Sequence, residues 1–234
     1  MEFRVLSKNR WVPESGKDTA YLKVDLWNDY SFVTMFHLSL HDGEGCLHDI
    51  GEIKIGFKGQ TTETSTYTEL PDRFSDLEDK FFSLGQGVDF YKKMAGLPNS
   101  TGKMVLSSLR DVVAKPAIME SIKDEDVFGT SLLRNTSLSI VKGQYARLLE
   151  GLAELTDFKF KFLRPEMQKF GGVELDFEVK VDSIPRSNIH AIIGRNGVGK
   201  TTILNGMIDA ITDKENSKAK FIDTEHWKET EISS

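Results

Sequence analysis

The stretch HAIIGRNGVGKTTILN, residues 190–205, constrains this chain more than any other. A short apolar run comes first, then a glycine-rich loop, then apolar residues at helical spacing. Gly194, Gly199, Lys200 and Thr201 satisfy the pattern G-x-x-x-x-G-K-[ST] of phosphate-binding loops, the Walker A or P-loop signature. Gly194, Gly197 and Gly199 let the backbone take positive φ and approach a ligand with no Cβ in the way. Such a turn aims successive N–H groups at one point, and a helix starting near Lys200 adds its positive dipole end there. Lys200 supplies a mobile charge for β- and γ-phosphates, and the Thr201 hydroxyl suits Mg²⁺, which keeps its other positions for water and phosphate. The expected cradle is the main chain of Gly194, Arg195, Asn196, Gly197, Val198, Gly199, Lys200, Thr201 and Thr202.

The flanks agree with the loop. HAII suits a strand buried in a parallel sheet. TTILNGMIDAI places Ile203, Leu204, Met207, Ile208 and Ile211 on one helix face. An ordinary glycine-rich turn would match the four fixed positions and both flanks only by coincidence. The fold class expected is α/β, a P-loop nucleotide-binding domain over residues 157–234, preceded by an α+β region over residues 1–156.

Thirty-three residues follow Thr201 in a chain of 234. A hydrolase built on such a loop also needs an acidic residue on a neighbouring strand and a group that orients water. The candidates are Asp223 and Glu225 in AKFIDTE, a segment that reads more simply as an edge strand or hairpin. No N-K-x-D follows, which speaks against the common GTPases, and there is no room for a kinase lid. A small phosphotransferase using Asp223 is the least favoured reading.

Composition bounds the rest. With 39% hydrophobic and 28% charged residues the chain reads as an ordinary soluble globular protein. It shows neither a membrane span nor a signal peptide, and its single cysteine, Cys46, fits a reducing compartment, so a cytoplasmic location is expected. A net charge of −6 argues against a nucleic-acid grip over the whole surface, while leaving local basic patches open. FKFKF at 158–162 reads as a half-buried strand with aromatics inward and lysines in water.

Residues 20–58 are β-rich. From Arg73 the spacing of Phe74, Leu77, Phe81, Phe82 and Leu84 predicts a helix, interrupted by GQG and resumed through VDFYKKM. MVLSSLRDVVA reads as a helix stopping ahead of Pro116, and AIMESIKDEDVFGTSLLRN as further helix broken at Gly129. GQYARLLEGLAELTD reads as a helix with Tyr145, Leu148, Leu149, Leu152 and Leu155 on one face, and FKFKFL and GGVELDFEVKVDSI as strands.

GRNGVGKTT, preceded by FEVKVDSIPRSNIHAII, resembles the opening of ATP-binding-cassette-class ATPases of the chromosome-maintenance and DNA-repair head type, usually grouped as AAA-family ATPases. In that class the loop often reads G-x-N-G-x-G-K-[ST]-[ST], which Gly194, Asn196, Gly197, Gly199, Lys200, Thr201 and Thr202 match. The N-terminal segment, with SLLR at 131–134, is similar in flavour to ATPases of bacterial anti-phage defence and mobile-element systems. The resemblance implies binding of ATP with Mg²⁺, a homodimer of the full-length protein, and partners among nucleic acids or defence proteins. It also implies a downstream Walker B carboxylate and a serine-glycine signature from the second subunit, neither of which this chain contains. SLGQG at 83–87 has a similar composition but lies upstream of the loop and reads as a helix interruption. The chain therefore reads as the N-terminal part of a longer ATPase, able to bind nucleotide without efficient turnover. Phe170 lies where transporters of the class carry a base platform, although a core or loop aromatic is the plainer reading.

Other clusters weigh less. His41, Asp42, Cys46, His48 and Asp49 crowd one stretch, but with one thiolate and no paired spacing they suit a polar turn better than zinc. His190 precedes the loop at a position suited to burial or solvent contact. The competing function is a non-catalytic interaction or sensor module, whose N-terminal region binds a protein or nucleic acid whether or not ATP is present.

Overall fold

The β-branched and aromatic run expected to be strand becomes the middle of a six-stranded sheet. The computed structural model describes residues 1–224 apart from 168–170, 182, 184–186 and 214, and it divides into two units between Glu154 and Leu155. In the first unit β1 (Glu2–Leu6) runs parallel to β2 (Thr19–Val24). Next come β3 (Met35–His41), β4 (Leu47–Phe57), β5 (Arg73–Phe74) and β6 (Phe81–Gly85), all paired antiparallel, in the order β5-β1-β2-β3-β4-β6. The two-residue period sets the faces: Ala20, Leu22 and Val24 lie in register with Leu40, Leu38 and Phe36, and all six are buried.

One turn of helix, α1 (Thr66–Glu69), follows β4, and the remaining helices come after β6. These are α2 (Val88–Ala95), α3 (Thr101–Ser108), α4 (Met119–Ile122), α5 (Leu138–Ile140) and α6 (Ala146–Leu149), with π-helical turns at Phe128–Leu132 and Val141–Tyr145. Phe90, Tyr91 and Met94 of α2, Val105 and Leu106 of α3, and Phe128 and Leu132 share one core with the strand residues. The start of α3 comes so close to the end of α2 that a Cβ on Gly102 would lie 1.9 Å from the Met94 carbonyl oxygen.

Several helices differ from expectation. The segment from Arg73 forms β5 and β6. FFSLG is a short, largely apolar run interrupted only by Ser83, and such a run fits a helix face and a strand buried on both sides equally well. Here all five residues are buried and pair with β4, and Phe82 meets Phe128 edge to face. SLGQG is thus the end of β6 and the turn into α2. The helix expected through Ala114 stops at Ser108, and the chain then runs beside β6, with Ser83 N donating to Arg110 O and Val112 N to Ser83 O. Gly129 lies inside a π-helical turn and does not break it. Tyr145, Leu148 and Leu149 are buried as expected, but α6 ends before Gly151 and leaves Leu152 and Leu155 exposed.

Two polar groups are sealed into this core. Lys54, 0% exposed in β4, donates to Ser131 O at 2.7 Å and faces Asp29 Oδ2 at 2.7 Å. Arg134 Nη1 reaches Asp29 Oδ1 at 2.6 Å. Burial pushes the Asp29 carboxyl up, but the hydrogen bonds from Lys54 and Arg134 outweigh it and hold it below the usual carboxylate range. Asp111 is the opposite case. Its carboxylate accepts from the amides of Val113, Ala114 and Gly85 and from the Tyr91 hydroxyl, yet burial dominates and raises its pKa to about 6.

In the second unit β7 (Phe158–Arg164) lies between β8 (Val173–Val179) and β9 (Lys220–Asp223), all antiparallel, with α7 (Lys200–Thr212) against them. FKFKF forms a strand as expected, with Phe160 and Phe162 turned inward, but Phe158 at its start stands 56% exposed. Phe160 stacks on Phe177 and Phe162 packs on Phe221, while Lys161 pairs with Glu174 and Asp176. HAII does not form a strand. The described sheet is antiparallel and offers no parallel neighbour, and Ile193 stands 92% exposed. Of the five apolar α7 residues only Ile203 and Met207 pack with Phe162, whereas Leu204, Ile208 and Ile211 face outward. Among the described residues no helix is long and apolar enough to cross a membrane.

Gly102→Ala will destabilise the first unit by about 2 kcal/mol or more, read as a lowered urea midpoint, because the Met94 carbonyl cannot move aside cheaply. The raised Asp111 pKa means that the native state binds the proton more tightly than the unfolded chain does. That contribution is complete below the unfolded value of 3.8 and is lost as pH rises through about 6. Urea titrations at pH 4 and pH 7.5 will show the wild type losing on the order of 3 kcal/mol relative to Asp111→Asn across that window.

Candidate phosphate-binding site

The glycine loop leads directly into α7, whose thirteen residues start at Lys200. Gly197 at φ 88° and Gly199 at φ 95° occupy the left-handed region, where a β-carbon would be strained. Gly199 is the N-cap of α7, and having no side chain it leaves the first-turn amides uncapped. Ile203 N bonds back to Gly199 O at 3.0 Å, so regular helix begins at once. The uncapped donors and the positive dipole end therefore coincide at the loop.

Lys200 folds back over the same loop. Its Nζ donates to Gly194 O at 2.8 Å and to Arg195 O at 2.9 Å. An ammonium has three donors, and these bonds use two. The side chain thus ties the first turn of the helix to the start of the loop while keeping a hydrogen for an anion. The loop is tight: a Cβ on Gly194 would meet Val198 Cγ2 at 3.0 Å and Lys200 Cδ at 4.0 Å. Arg195, Asn196 and Val198 are exposed, as is Thr201, and Thr202 is half-buried. The structure thus brings Gly194 to Thr202 together in one turn and helix start.

The remaining candidates fall elsewhere. Asp223 stands at the end of β9 opposite Phe160. Phe170 and Glu225 lie outside the described residues. His190 is exposed and meets the Phe177 ring edge to face at 5.0 Å. His41, Asp42, Cys46, His48 and Asp49 belong to β3, β4 and their hairpin in the first unit. There Asp42 accepts from His48 Nε2 at 2.8 Å and from the amides of Glu44 and Cys46. The His48 hydrogen bond leads in holding the Asp42 carboxyl below its usual range, with the Cys46 amide next. Among the described residues no group of three or more His, Cys, Asp or Glu is placed to hold a metal ion. Sequence reasoning missed the buried cluster of Asp29, Lys54 and Ser131 and the Arg134 that reaches it from the surface, although a lysine inside EIKIGF was a signal for it.

The chain matches known proteins in two ways. Residues 166–234, which include the glycine loop and α7, match a family model described as an AAA domain, so this region is AAA-type ATPase-like. Over 232 residues the chain is 46% identical to Protein ea59 of Escherichia phage lambda, a similarity that covers 99% of this chain and 44% of that protein. The chain thus spans less than half the length of the curated relative it matches. No solved structure matches it.

Proposed function

We propose that residues 194–202 hold the polyphosphate of ATP with Mg²⁺, and that the chain is the ATP-binding portion of an ATP-binding-cassette-class ATPase. Its work is in nucleic-acid transactions such as DNA repair and chromosome maintenance, or in defence against phage. The observation that carries this reading is the Lys200 ammonium tethered across a positive-φ glycine loop at the uncapped start of α7. In this reading the amides of Asn196 to Thr201 cradle the phosphates, Lys200 neutralises the β- and γ-oxygens, and the Thr201 hydroxyl takes one Mg²⁺ position. Mg²⁺ supplies charge neutralisation on the phosphates when bound.

Hydrolysis in this reading needs groups beyond these residues: an acidic strand to complete the metal site and a signature loop from a second subunit. Leu204, Ile208 and Ile211 support that view. They are 49%, 56% and 62% exposed at intervals of about one helical turn, an apolar stripe of the kind that further chain covers.

Calorimetry on this chain tests the site. Lys200→Ala will abolish measurable Mg-ATP binding, and unchanged affinity would overturn the proposal. Thr201→Ala will lower affinity about tenfold in Mg²⁺ and leave weak binding in EDTA unaltered, since only the metal contact is removed. An equal loss in both conditions would remove Thr201 from the metal.

A further inference from the structure

The connection between β2 and β3 presents large apolar side chains to water and is tightly built. From Asp25 to Ser31 every residue is exposed except Asp29, among them Leu26, Trp27 at 56% and Tyr30 at 70%. Single exposed aromatics are ordinary, but three large apolar residues within five positions of one loop mark an interaction surface. The loop is braced from within. Asp29 and Phe32 exchange both backbone hydrogen bonds, Asp25 Oδ1 accepts from Trp27 N, and Asn28 Oδ1 accepts from Ser31 N. A guest therefore meets side chains already in place, and little ordering cost remains.

One oxygen gathers the groups. Asp29 Oδ1 accepts from the Trp27 indole Nε1 at 3.0 Å and from Arg134 Nη1 at 2.6 Å. The Arg134 guanidinium in turn lies 4.6 Å from the Tyr30 ring centre. Trp27, Arg134 and Tyr30 are thus contiguous, a guanidinium beside two exposed aromatic rings, and these three residue types dominate binding hot spots. Among the described residues the Arg134 side chain makes no hydrogen bond other than that to Asp29, so its Nε and Nη2 keep donors for an incoming acceptor.

Charge narrows the partner. The loop and its brace contain two carboxylates, Asp25 and Asp29, and two cations, Lys54 and Arg134, a sum of zero. A patch without net charge offers a polyanion no gain from released counterions.

We propose that this loop is a docking site for a proline-rich protein segment in the polyproline II conformation. Such a segment has no internal hydrogen bonds, so its carbonyls are free to accept from Arg134. Its pyrrolidine rings are uncharged, pack on aromatic faces and recur on one side about every 9 Å. Its backbone is extended before binding, which again keeps the ordering cost low. The surface belongs to the first unit and uses no residue of the glycine loop, so it stands apart from the nucleotide reading.

Anisotropy titrations of fluorescein-labelled decaproline with the whole chain test this. Wild type will bind saturably below millimolar concentration, and a Gly-Ser peptide of equal length will not bind. Tyr30→Asn and Trp27→Ala will each weaken decaproline binding at least tenfold, the loss expected of a hot-spot aromatic. Asparagine tolerates the φ of 49° at position 30, so the turn persists, and an unchanged urea midpoint will report it. Arg134→Lys keeps the charge beside Asp29 but removes the planar donor fork, and will weaken binding severalfold. Mg-ATP affinity will be unaltered in all three variants, and Lys200→Ala will bind decaproline as wild type does. Failure here is thus distinguishable from failure of the nucleotide site. Absence of saturable binding by wild type, equal binding of the Gly-Ser peptide, or affinity unmoved by Tyr30→Asn and Trp27→Ala would each overturn the proposal. So would a single-stranded oligonucleotide that binds in place of decaproline and is lost with the same variants, which would assign the rings to base stacking.

Discussion

The first unit depends on the charge pair buried between Lys54 and Asp29. Neither side chain touches solvent, so each relies on the other and on the groups around them. Lys54 belongs to β4, Asp29 to the connection between β2 and β3, and Ser131 and Arg134 lie in and just beyond a π-helical turn. One cluster therefore joins sheet, loop and helical layer. Removing Lys54 or Asp29 would strand the other as a buried charge, a loss of about 3–5 kcal/mol, far more than a surface pair contributes. Next to Asp29, Tyr30 and Ser31 take positive φ, a strained conformation for residues with side chains, in a turn closed by the backbone bonds between Asp29 and Phe32, and the Arg134 guanidinium lies 4.6 Å from the Tyr30 ring centre.

The second unit is held differently. Its core is small, with Phe162, Ala210 and Ala219 fully enclosed and a set of aromatics and aliphatics half-covered around them. Phe160, Phe162, Phe177 and Phe221 form a contiguous ring cluster on one face of the sheet. Helix α7 rests on that cluster through Ile203 and Met207, which fixes the direction in which its first turn points. The position of the glycine loop thus follows from aromatic packing one layer below.

How far the sequence reveals this structure depends on the period of each segment. FKFKF and VELDFEV alternate strictly, so their strands and faces are legible. The helix after the loop is legible because five aliphatics share its spacing. FFSLG is not, since so short and largely apolar a run has no period to distinguish helix from a doubly buried strand. HAII misleads for another reason: its hydrophobicity signals burial, but burial needs neighbours that the described sheet does not provide. In the candidate site, the turn was legible because Gly197 and Gly199 stand where positive φ is needed. The fold-back of Lys200 onto Gly194 and Arg195 was not, because a carbonyl acceptor leaves no trace in residue type.

That fold-back has an energetic meaning. A flexible six-residue loop surrenders conformational freedom when it closes on a guest, at about 1–2 kcal/mol per residue fixed. In this chain the ammonium has already drawn the ends of the loop together. A guest that takes the unused hydrogen finds the enclosure assembled, and its affinity is spared most of that ordering cost.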